Sequence, residues 1–182
     1  MRLPATIFRQ YDIRGTVDRE LTPQTATLVG QAYATLARER LGRAPQLAVG
    51  RDNRPSGPAL ADGVMDGIVR AGGTALDVGE LPTPALYLAT HVRPVDGGLQ
   101  VTGSHNPPEF NGFKMVLGGA AVYGDEIQGL HERIERDHLA VAPGGARRAE
   151  PDILAAYRDS VVERYVPLSR PVKLVVVCGH SV

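Results

Sequence analysis

Apolar residues recur at every third or fourth position along five stretches of this chain, which is the period of an amphipathic α-helix. The first stretch also carries boundary signals: Thr22 suits an N-cap, Pro23 suits the first helical position, and Gly42 follows the last apolar residue. The sequence therefore predicts a helix that begins at Pro23 and stops at Gly42. The apolar positions of the five predicted helices lie within 28–37, 60–69, 84–91, 127–134 and 153–165.

Short apolar runs between these helical patterns are typical of buried strands. Strands that alternate with helices of this length favour an α/β layer fold in which most neighbouring strands run parallel. The predicted strands cover 47–49, 74–78, 98–102, 112–117 and 172–177.

Residues 140–151 interrupt this order, because they combine Ala, Gly, Pro and two adjacent arginines without any period. We interpret them as a linker or exposed loop. The sequence thus predicts one domain over 1–150, followed over 151–182 by a helix and the first strand of a truncated second domain. A strand that is buried on both faces needs neighbours, and none follows 172–177 in this chain.

Composition narrows the class of protein. The 182 residues are 43% hydrophobic and 22% charged, which is near the globular average and sufficient for a packed core. The 20 basic side chains balance 20 acidic ones, so no overall field attracts nucleic acid or an anionic membrane. Cys178 is the only cysteine, which excludes a disulfide framework, and no leader peptide or membrane-length apolar run is recognisable. These features predict a cytoplasmic protein that binds neither nucleic acid nor membrane.

The loop over 102–108, T-G-S-H-N-P-P, directly follows a predicted strand, where α/β proteins bind ligands. Its hydroxyl, imidazole and amide groups could form a reactive site. Ser, Gly, Asn and Pro are also ordinary turn residues, so a purely structural turn is the alternative and the commoner case for an isolated loop. A hydrolase nucleophile elbow is disfavoured because Asn106 stands where that motif requires glycine.

Two further segments and one lysine carry charge near predicted strand ends. The segment 8–15, F-R-Q-Y-D-I-R-G, could hold a phosphate through its two arginines, unless it is a surface strand with solvated charges. The segment 50–57, G-R-D-N-R-P-S-G, could bind an anion at a helix entry, although a turn held by Arg–Asp pairing is preferred. Lys114 could donate a proton if buried and is otherwise a solvated lysine.

Taken in order, these motifs resemble one known family. F-R-x-Y-D-I-R-G over 8–15, G-R-D-x-R-x-S-G over 50–57, T-G-S-H-N-P over 102–107 and N-G-x-K over 111–114 are similar to signature segments of the α-D-phosphohexomutases. Tyr11 resembles the phosphomannomutase/phosphoglucomutase branch more than the phosphoglucosamine mutases. The resemblance covers residues 7 to about 177 and implies the family's domain I, a three-layer α/β/α fold with a mixed, mainly parallel sheet.

The resemblance also implies a role for each matched residue. Ser104 would carry the transferable phosphoryl group, and its phosphate would supply one ligand to Mg²⁺. His105 and Lys114 would flank the reacting hydroxyl as general acid and base, with Arg14 beside the phosphoserine. The residues implied to bind substrate or phosphate are Tyr11, Arg14, Asn106 and, on position alone, Arg9.

The implied reaction interconverts hexose 6-phosphate and hexose 1-phosphate through a phosphoserine enzyme and a hexose 1,6-bisphosphate. Glucose or mannose 1,6-bisphosphate would be the activator. The family's aspartate loop for Mg²⁺ and its sugar- and phosphate-binding loops belong to domains II–IV, and this chain does not contain them. We therefore expect hexose phosphates and domains II–IV as partners, and no turnover by this chain alone.

Two other functions stay open at this point. The chain could be a non-catalytic domain of the same fold that binds a phosphosugar or a partner protein. It could also be an assembly domain that pairs through the uncovered strand 172–177. The intact serine loop, Arg14 and Lys114 favour the catalytic domain over both alternatives.

Overall fold

The computed structural model describes residues 2–167 and 169–177, so Cys178 lies outside the described residues. A short 3-10 turn, Ala5–Ile7, comes first. The helices are α1 (Pro23–Leu41), α2 (Gly57–Arg70), α3 (Thr83–Val92), α4 (Asp125–Glu135) and α5 (Ile153–Glu163). The strands are β1 (Ile13–Thr16), β2 (Gln46–Arg51), β3 (Thr74–Glu80), β4 (Gly97–Val101), β5 (Phe110–Leu117), β6 (Ala120–Ala121) and β7 (Ala146–Ala149). All five predicted helices form, and so do the first four predicted strands.

The strands make one mixed sheet in the order β1-β5-β4-β2-β3-β7, with β6 paired to β5. β4, β2, β3 and β7 pair in parallel, whereas β5 runs antiparallel to β4, β1 and β6. Parallel neighbours need a long crossover, which α2 and α3 provide. β4 and β5 are instead joined directly by the loop 102–109, so the chain turns back alongside β4 at this point.

Helices cover both faces of the sheet, which confirms the predicted three-layer α/β/α fold. On one face α1, α2 and α4 enclose the larger core, in which Tyr33, Phe113 and Ile127 are fully buried. On the other face α3 and α5 pack around a smaller core that contains Leu86 and Ile153. Burial of this apolar surface is the main favourable contribution to folding. Across 2–167 and 169–177, no helix has both the length and the apolar character needed to cross a membrane.

The backbones of α1 and α2 approach each other closely. A Cβ added at Gly67 of α2 would lie 2.1 Å from the Thr27 carbonyl oxygen of α1. One added at Gly30 of α1 would lie 2.2 Å from the Val64 carbonyl oxygen of α2. Both distances are shorter than any real contact, so the two helices can hold this separation only with glycine at these positions.

The interpretation of 140–151 as a linker or exposed loop is wrong for Ala146–Ala149, because these residues form the strand β7. This strand extends the parallel sheet next to β3, with Thr74 opposite Ala146 and Asp77 opposite Ala149. Most of its side chains are exposed, and Arg147 forms ion pairs with two aspartates of α2. An edge strand of this kind shows no apolar alternation in the sequence, because backbone groups make its pairing and few of its side chains are buried.

The strand predicted over 172–177 does not form. Residues 171–177 belong to no strand in the part of the chain that is described, and Val175 and Val177 are 86% and 87% exposed. Apolar residues stabilise a strand only where neighbouring strands pair with its backbone and cover its faces. α5, which precedes this segment, does pack on the domain, since Ile153 is fully buried in the smaller core.

Candidate active site

The loops that follow β2 and β4 lie side by side at one edge of the sheet. β2 and β4 are parallel neighbours whose last paired residues are Arg51 and Val101, so both loops leave the carboxyl edge together. Asp52 continues the contact, because its backbone N–H donates to the Val101 carbonyl at 2.9 Å. This edge is where α/β proteins usually bind ligands, and here it carries the loop 102–109.

Ser104 is exposed on this loop, 102–109, which we call the serine loop. Its backbone conformation is unfavourable. Its φ of 54° is in the left-handed region, which residues with a Cβ seldom adopt. Its Oγ lies 3.1 Å from Nδ1 of His105, and its N–H donates to Oγ1 of Thr102 at 3.0 Å. The arrangement presents a hydroxyl to solvent with an imidazole in hydrogen-bond range, as a nucleophile and its base require.

Two cations and a carboxylate lie beside the serine loop. Arg14 of β1 is only 7% exposed and donates to the Gly103 carbonyl at 3.0 Å and to Oδ2 of Asp12 at 2.6 Å. Lys114 of β5 donates to the same Asp12 oxygen at 3.2 Å. Gly112 is opposite Arg14 in the sheet, so Lys114, two residues further on, shares its face. The guanidinium and the ammonium share one carboxylate, which leaves a net positive charge in this group.

The Gly103 carbonyl anchors the loop. Besides Arg14, it accepts hydrogen bonds from the backbone N–H and from Nδ2 of Asn106, both at 3.1 Å. Asp52 and Arg54 bind the same loop from the segment 50–57, and their own ion pair is 3.3 Å long. The preferred Arg–Asp interpretation of that segment is therefore confirmed, and its hydrogen bonds extend to the serine loop.

Tyr11 and Arg9 lie on the exposed segment before β1, where Tyr11 is 74% exposed. Among the described residues, neither side chain is hydrogen-bonded to the serine loop. The pKa of Glu20 is lowered chiefly by hydrogen bonds from the backbone N–H and the hydroxyl of Thr16, and the charge of Arg9 adds to this effect. The roles of Tyr11 and Arg9 in binding substrate or phosphate stay predictions.

Sequence reasoning singled out the segments 8–15 and 50–57 but assigned no role at this site to Asp12, Asp52 or Arg54. Arg54 donates to the backbone of Ser104, which is 50 residues later in the chain. The available signal was that both loops directly follow predicted strands. That signal brings the two loops together only when β4 is known to lie beside β2. The order of strands depends on the pairing of the whole sheet and cannot be read from either segment.

The described residues do not form a Mg²⁺ site by themselves. Across 2–167 and 169–177, no three His, Cys, Asp or Glu side chains are grouped to hold a metal ion. Two of the carboxylates near the serine loop are already paired: Asp12 with Arg14 and Lys114, and Asp52 with Arg54. Mg²⁺ requires an octahedral shell of oxygen ligands, which a single serine cannot supply.

Replacing Ser104 with Gly is expected to give a protein roughly 0.5–1 kcal/mol more stable than Ser104→Ala. The left-handed φ costs a residue with a Cβ about 1–2 kcal/mol, whereas glycine adopts it freely. Part of this gain is lost because glycine is more flexible in the unfolded chain. Urea unfolding measures the difference. Ser160→Gly in α5 is the control, and its free energy of unfolding should be about 0.5 kcal/mol below that of the wild type. Equal stability of the two Ser104 variants would contradict the strain inferred from φ.

Comparison with known proteins shows which class of protein carries this fold and site. Residues 5–140 match the family model for phosphoglucomutase/phosphomannomutase, alpha/beta/alpha domain I. The chain therefore belongs to the phosphoglucomutase/phosphomannomutase family, as the resemblance in its motifs implied. The phosphomannomutase/phosphoglucomutase of Pseudomonas aeruginosa PAO1 is 44% identical over 181 residues, which are 99% of this chain and 38% of that protein. The phosphoglucomutase of Neisseria gonorrhoeae is 42% identical over 176 residues, which are 97% of this chain and 38% of that protein.

A solved structure agrees with this membership. The crystal structure of a phosphoglucomutase/phosphomannomutase family protein from Burkholderia thailandensis superposes with a TM-score of 0.86 at 40% identity. The match covers 93% of this chain and 38% of that one. The chain thus spans about 38% of the length of the relatives it matches.

Proposed function

We propose that this chain is the serine-bearing domain of a phosphomannomutase/phosphoglucomutase, an isomerase that interconverts hexose 6-phosphate and hexose 1-phosphate. The observation that carries the proposal is the exposed Ser104, held at a φ of 54° on an anchored loop with its Oγ 3.1 Å from Nδ1 of His105. A hydroxyl in this position is accessible to a phosphorylated sugar. The 44% identity to a relative of that name supports the same function.

In the proposed reaction, Ser104 carries the phosphoryl group as a phosphoserine. The bond from phosphorus to Oγ breaks as a hydroxyl of the hexose monophosphate bonds to phosphorus, which produces a hexose 1,6-bisphosphate. The bisphosphate then reorients and returns its other phosphoryl group to Oγ. The phosphate has thereby moved between positions 6 and 1, and the phosphoserine is regenerated. Positioning and charge stabilisation are the main requirements of such a transfer.

His105 and Lys114 are the proposed proton carriers. In the first transfer, the sugar hydroxyl loses its proton to a nearby base as it bonds to phosphorus, and the departing Oγ of Ser104 takes up a proton. In the second transfer, Oγ loses its proton as it bonds to phosphorus, and the departing sugar oxygen takes one up. Nδ1 of His105 can accept from a hydroxyl when the imidazole proton is on Nε2. Lys114 is half-buried and held by Asp12, so its amine has a fixed position from which to exchange a proton.

The cations near the loop suit a phosphoserine, which adds roughly −1.5 to −2 charge and three acceptor oxygens. Within the part of the chain that the structure describes, Arg14 and Lys114 share the one carboxylate of Asp12, so their charge is not fully compensated. We propose that Tyr11, Asn106 and Arg9 assist in binding phosphate or substrate. Guanidinium groups match phosphate oxygens particularly well.

Several parts of the proposed function lie outside this chain. The phosphoserine would supply one oxygen ligand to Mg²⁺, and residues of domains II–IV would supply the others. Those domains would also hold the hexose phosphates, with glucose or mannose 1,6-bisphosphate as activator. This division of the site is why no turnover is expected from the chain alone.

Intact-mass spectrometry of the chain, after incubation with glucose 1,6-bisphosphate and the separately produced remaining part of the Pseudomonas aeruginosa relative, tests the proposal. We expect the mass to rise by one phosphoryl group that maps to Ser104 and is absent from Ser104→Ala. Ser160→Ala removes a hydroxyl from α5 and is the matched control, so it should take up the group like the wild type. An unchanged mass of the wild-type chain would count against the proposal, as would equal uptake by Ser104→Ala.

The same preparations also test the division of the site. Mutase activity should stay at background for the chain alone and rise when the separately produced remaining part of the Pseudomonas aeruginosa relative is added. Ser104→Ala should stay at background in that mixture. Activity of the chain alone, or equal rates with and without the Ser104 hydroxyl, would contradict the proposed division.

A further inference from the structure

Arg54 binds the backbone of the serine loop through several hydrogen bonds. Its side chain is only 14% exposed, and its guanidinium donates to the carbonyls of Ser104 at 3.1 Å and Asn106 at 2.6 Å. It also donates to the carbonyls of Pro107 at 2.8 Å and Phe110 at 2.9 Å. A guanidinium presents five donors in one rigid plane, so a single side chain can hold several carbonyls in a fixed arrangement.

Asp52 holds both Arg54 and the start of the loop. Its Oδ2 lies 3.3 Å from Nε of Arg54 and accepts from Oγ1 of Thr102 at 2.9 Å and from the Gly103 N–H at 3.1 Å. Its Oδ1 accepts from the Arg54 backbone N–H at 3.1 Å. Both side chains are 14% exposed, and charge-assisted hydrogen bonds with so little competing water are strong. The pair therefore fixes the loop from two directions.

Gly103 allows the guanidinium to lie directly against the loop. A Cβ added at this position would stand 2.2 Å from Cζ and from Nε of Arg54. Arg54 can therefore occupy this position only because residue 103 has no side chain. A larger residue at 103 would displace the guanidinium and with it the carbonyls that it holds.

These contacts act on the conformation of Ser104. The left-handed φ of Ser104 is unfavourable by about 1–2 kcal/mol, so a loop free to relax would leave it. The Oγ would then change its position relative to His105. A displacement of about 1 Å at a reacting group can reduce a rate roughly a hundredfold. The hydrogen bonds from Arg54 oppose this relaxation because they hold the carbonyls on both sides of His105.

We propose that Arg54, paired with Asp52, is a positioning residue for Ser104. It holds the serine loop, 102–109, in the one conformation that presents the serine hydroxyl for phosphoryl transfer. Arg54 acts through the loop backbone, and its contacts are with backbone carbonyls and a carboxylate rather than with reacting atoms. The inference rests on the proposed function, because it concerns the same serine.

The rate at which the full chain, mixed with the same remaining part of the relative, takes up a phosphoryl group from glucose 1,6-bisphosphate tests this inference. We expect Arg54→Ala to be labelled about a hundredfold more slowly than the wild type, and Arg54→Lys roughly tenfold more slowly, because lysine keeps the charge without the planar fork. Added methylguanidinium should raise the rate of Arg54→Ala, a response that a general loss of stability would not produce. Arg147→Ala, which removes an exposed arginine of β7, should be labelled at the wild-type rate.

Hydrogen exchange separates the possible outcomes. The amides of Ser104 and Asn106 should exchange faster in Arg54→Lys than in the wild type, while those of α1 should not change. Labelling of Arg54→Lys at the wild-type rate would overturn the positioning role and leave the proposed function intact. A wild-type chain that takes up no phosphoryl group in that mixture would overturn the proposed function itself.

Discussion

Replacing Gly67 with Ala is expected to lower the free energy of unfolding by about 3 kcal/mol and the melting temperature by roughly 10 °C. The added Cβ would lie 2.1 Å from the carbonyl oxygen of Thr27 and 2.5 Å from the backbone nitrogen of Gln31. Backbone atoms cannot rotate away as the end of a side chain can. α1 and α2 must therefore separate, which loosens the apolar packing of the larger core. Thermal unfolding followed by circular dichroism measures the change.

Gly129→Ala is the matched control, because it makes the same substitution in the interior of α4. A Cβ at Gly129 would meet nothing within 4 Å. Alanine is also the better helix former, so this variant should gain roughly 0.5–1 kcal/mol. Opposite signs for one substitution would show that the close approach of two backbones, and not the loss of a glycine, decides the effect. A Gly67→Ala variant as stable as the wild type would contradict that approach.

Replacing Arg14 with Ala is expected to cost about 3 kcal/mol of stability. The Arg14 side chain is almost completely buried and donates to Asp12 at 2.6 Å and to the Gly103 carbonyl at 3.0 Å. Without it, Lys114 is the one cationic partner that the described residues leave to the poorly solvated carboxylate of Asp12. A buried charge that loses its partner is costly because the protein interior solvates it poorly. Urea unfolding gives the free-energy difference.

Arg147→Ala is the control for this prediction. Arg147 forms ion pairs with both Asp62 and Asp66, at 3.0 and 2.7 Å, but its side chain is 37% exposed and theirs are more than half exposed. Water and salt screen such pairs, so the loss should stay below about 1 kcal/mol. If removing Arg147 costs as much as removing Arg14, then burial does not decide the strength of these ion pairs.

The helices could be predicted from the sequence because their signals are local. In α1, Oγ1 of Thr22 accepts from the Thr25 N–H at 3.1 Å, and Gly42 ends the helix with a φ of 66°. Thr22 lies three residues from its partner, and Gly42 acts through its own backbone. β7 and the segment 172–177 were predicted wrongly for the opposite reason. Whether either segment is a strand depends on which strand lies beside it, and β3 pairs with β7 while no described strand pairs with 172–177.

In the candidate site, too, contacts between sequence neighbours could be predicted and contacts between distant segments could not. Ser104 and His105 are adjacent in the sequence, so their proximity was expected, and the Oγ to Nδ1 distance of 3.1 Å agrees. The antiparallel pairing of β1 with β5 brings Arg14 and Lys114 to one carboxylate across about a hundred residues of chain. The attachment of Arg54 to the serine loop depends on β2 lying next to β4. Neither pairing can be read from a periodic pattern.

The sequence by itself determined the alternation of helices and strands, the ends of α1, and the chemistry available in the serine loop, because these depend on residue type and on neighbours within a few positions. Only the tertiary structure decided the order of strands in the sheet and the glycine contact between α1 and α2. It also decided the attachment of Arg14, Asp52 and Arg54 to the loop. The physical reason is that these contacts join distant segments, and the free energy of bringing such segments together is set by the packing of the whole domain.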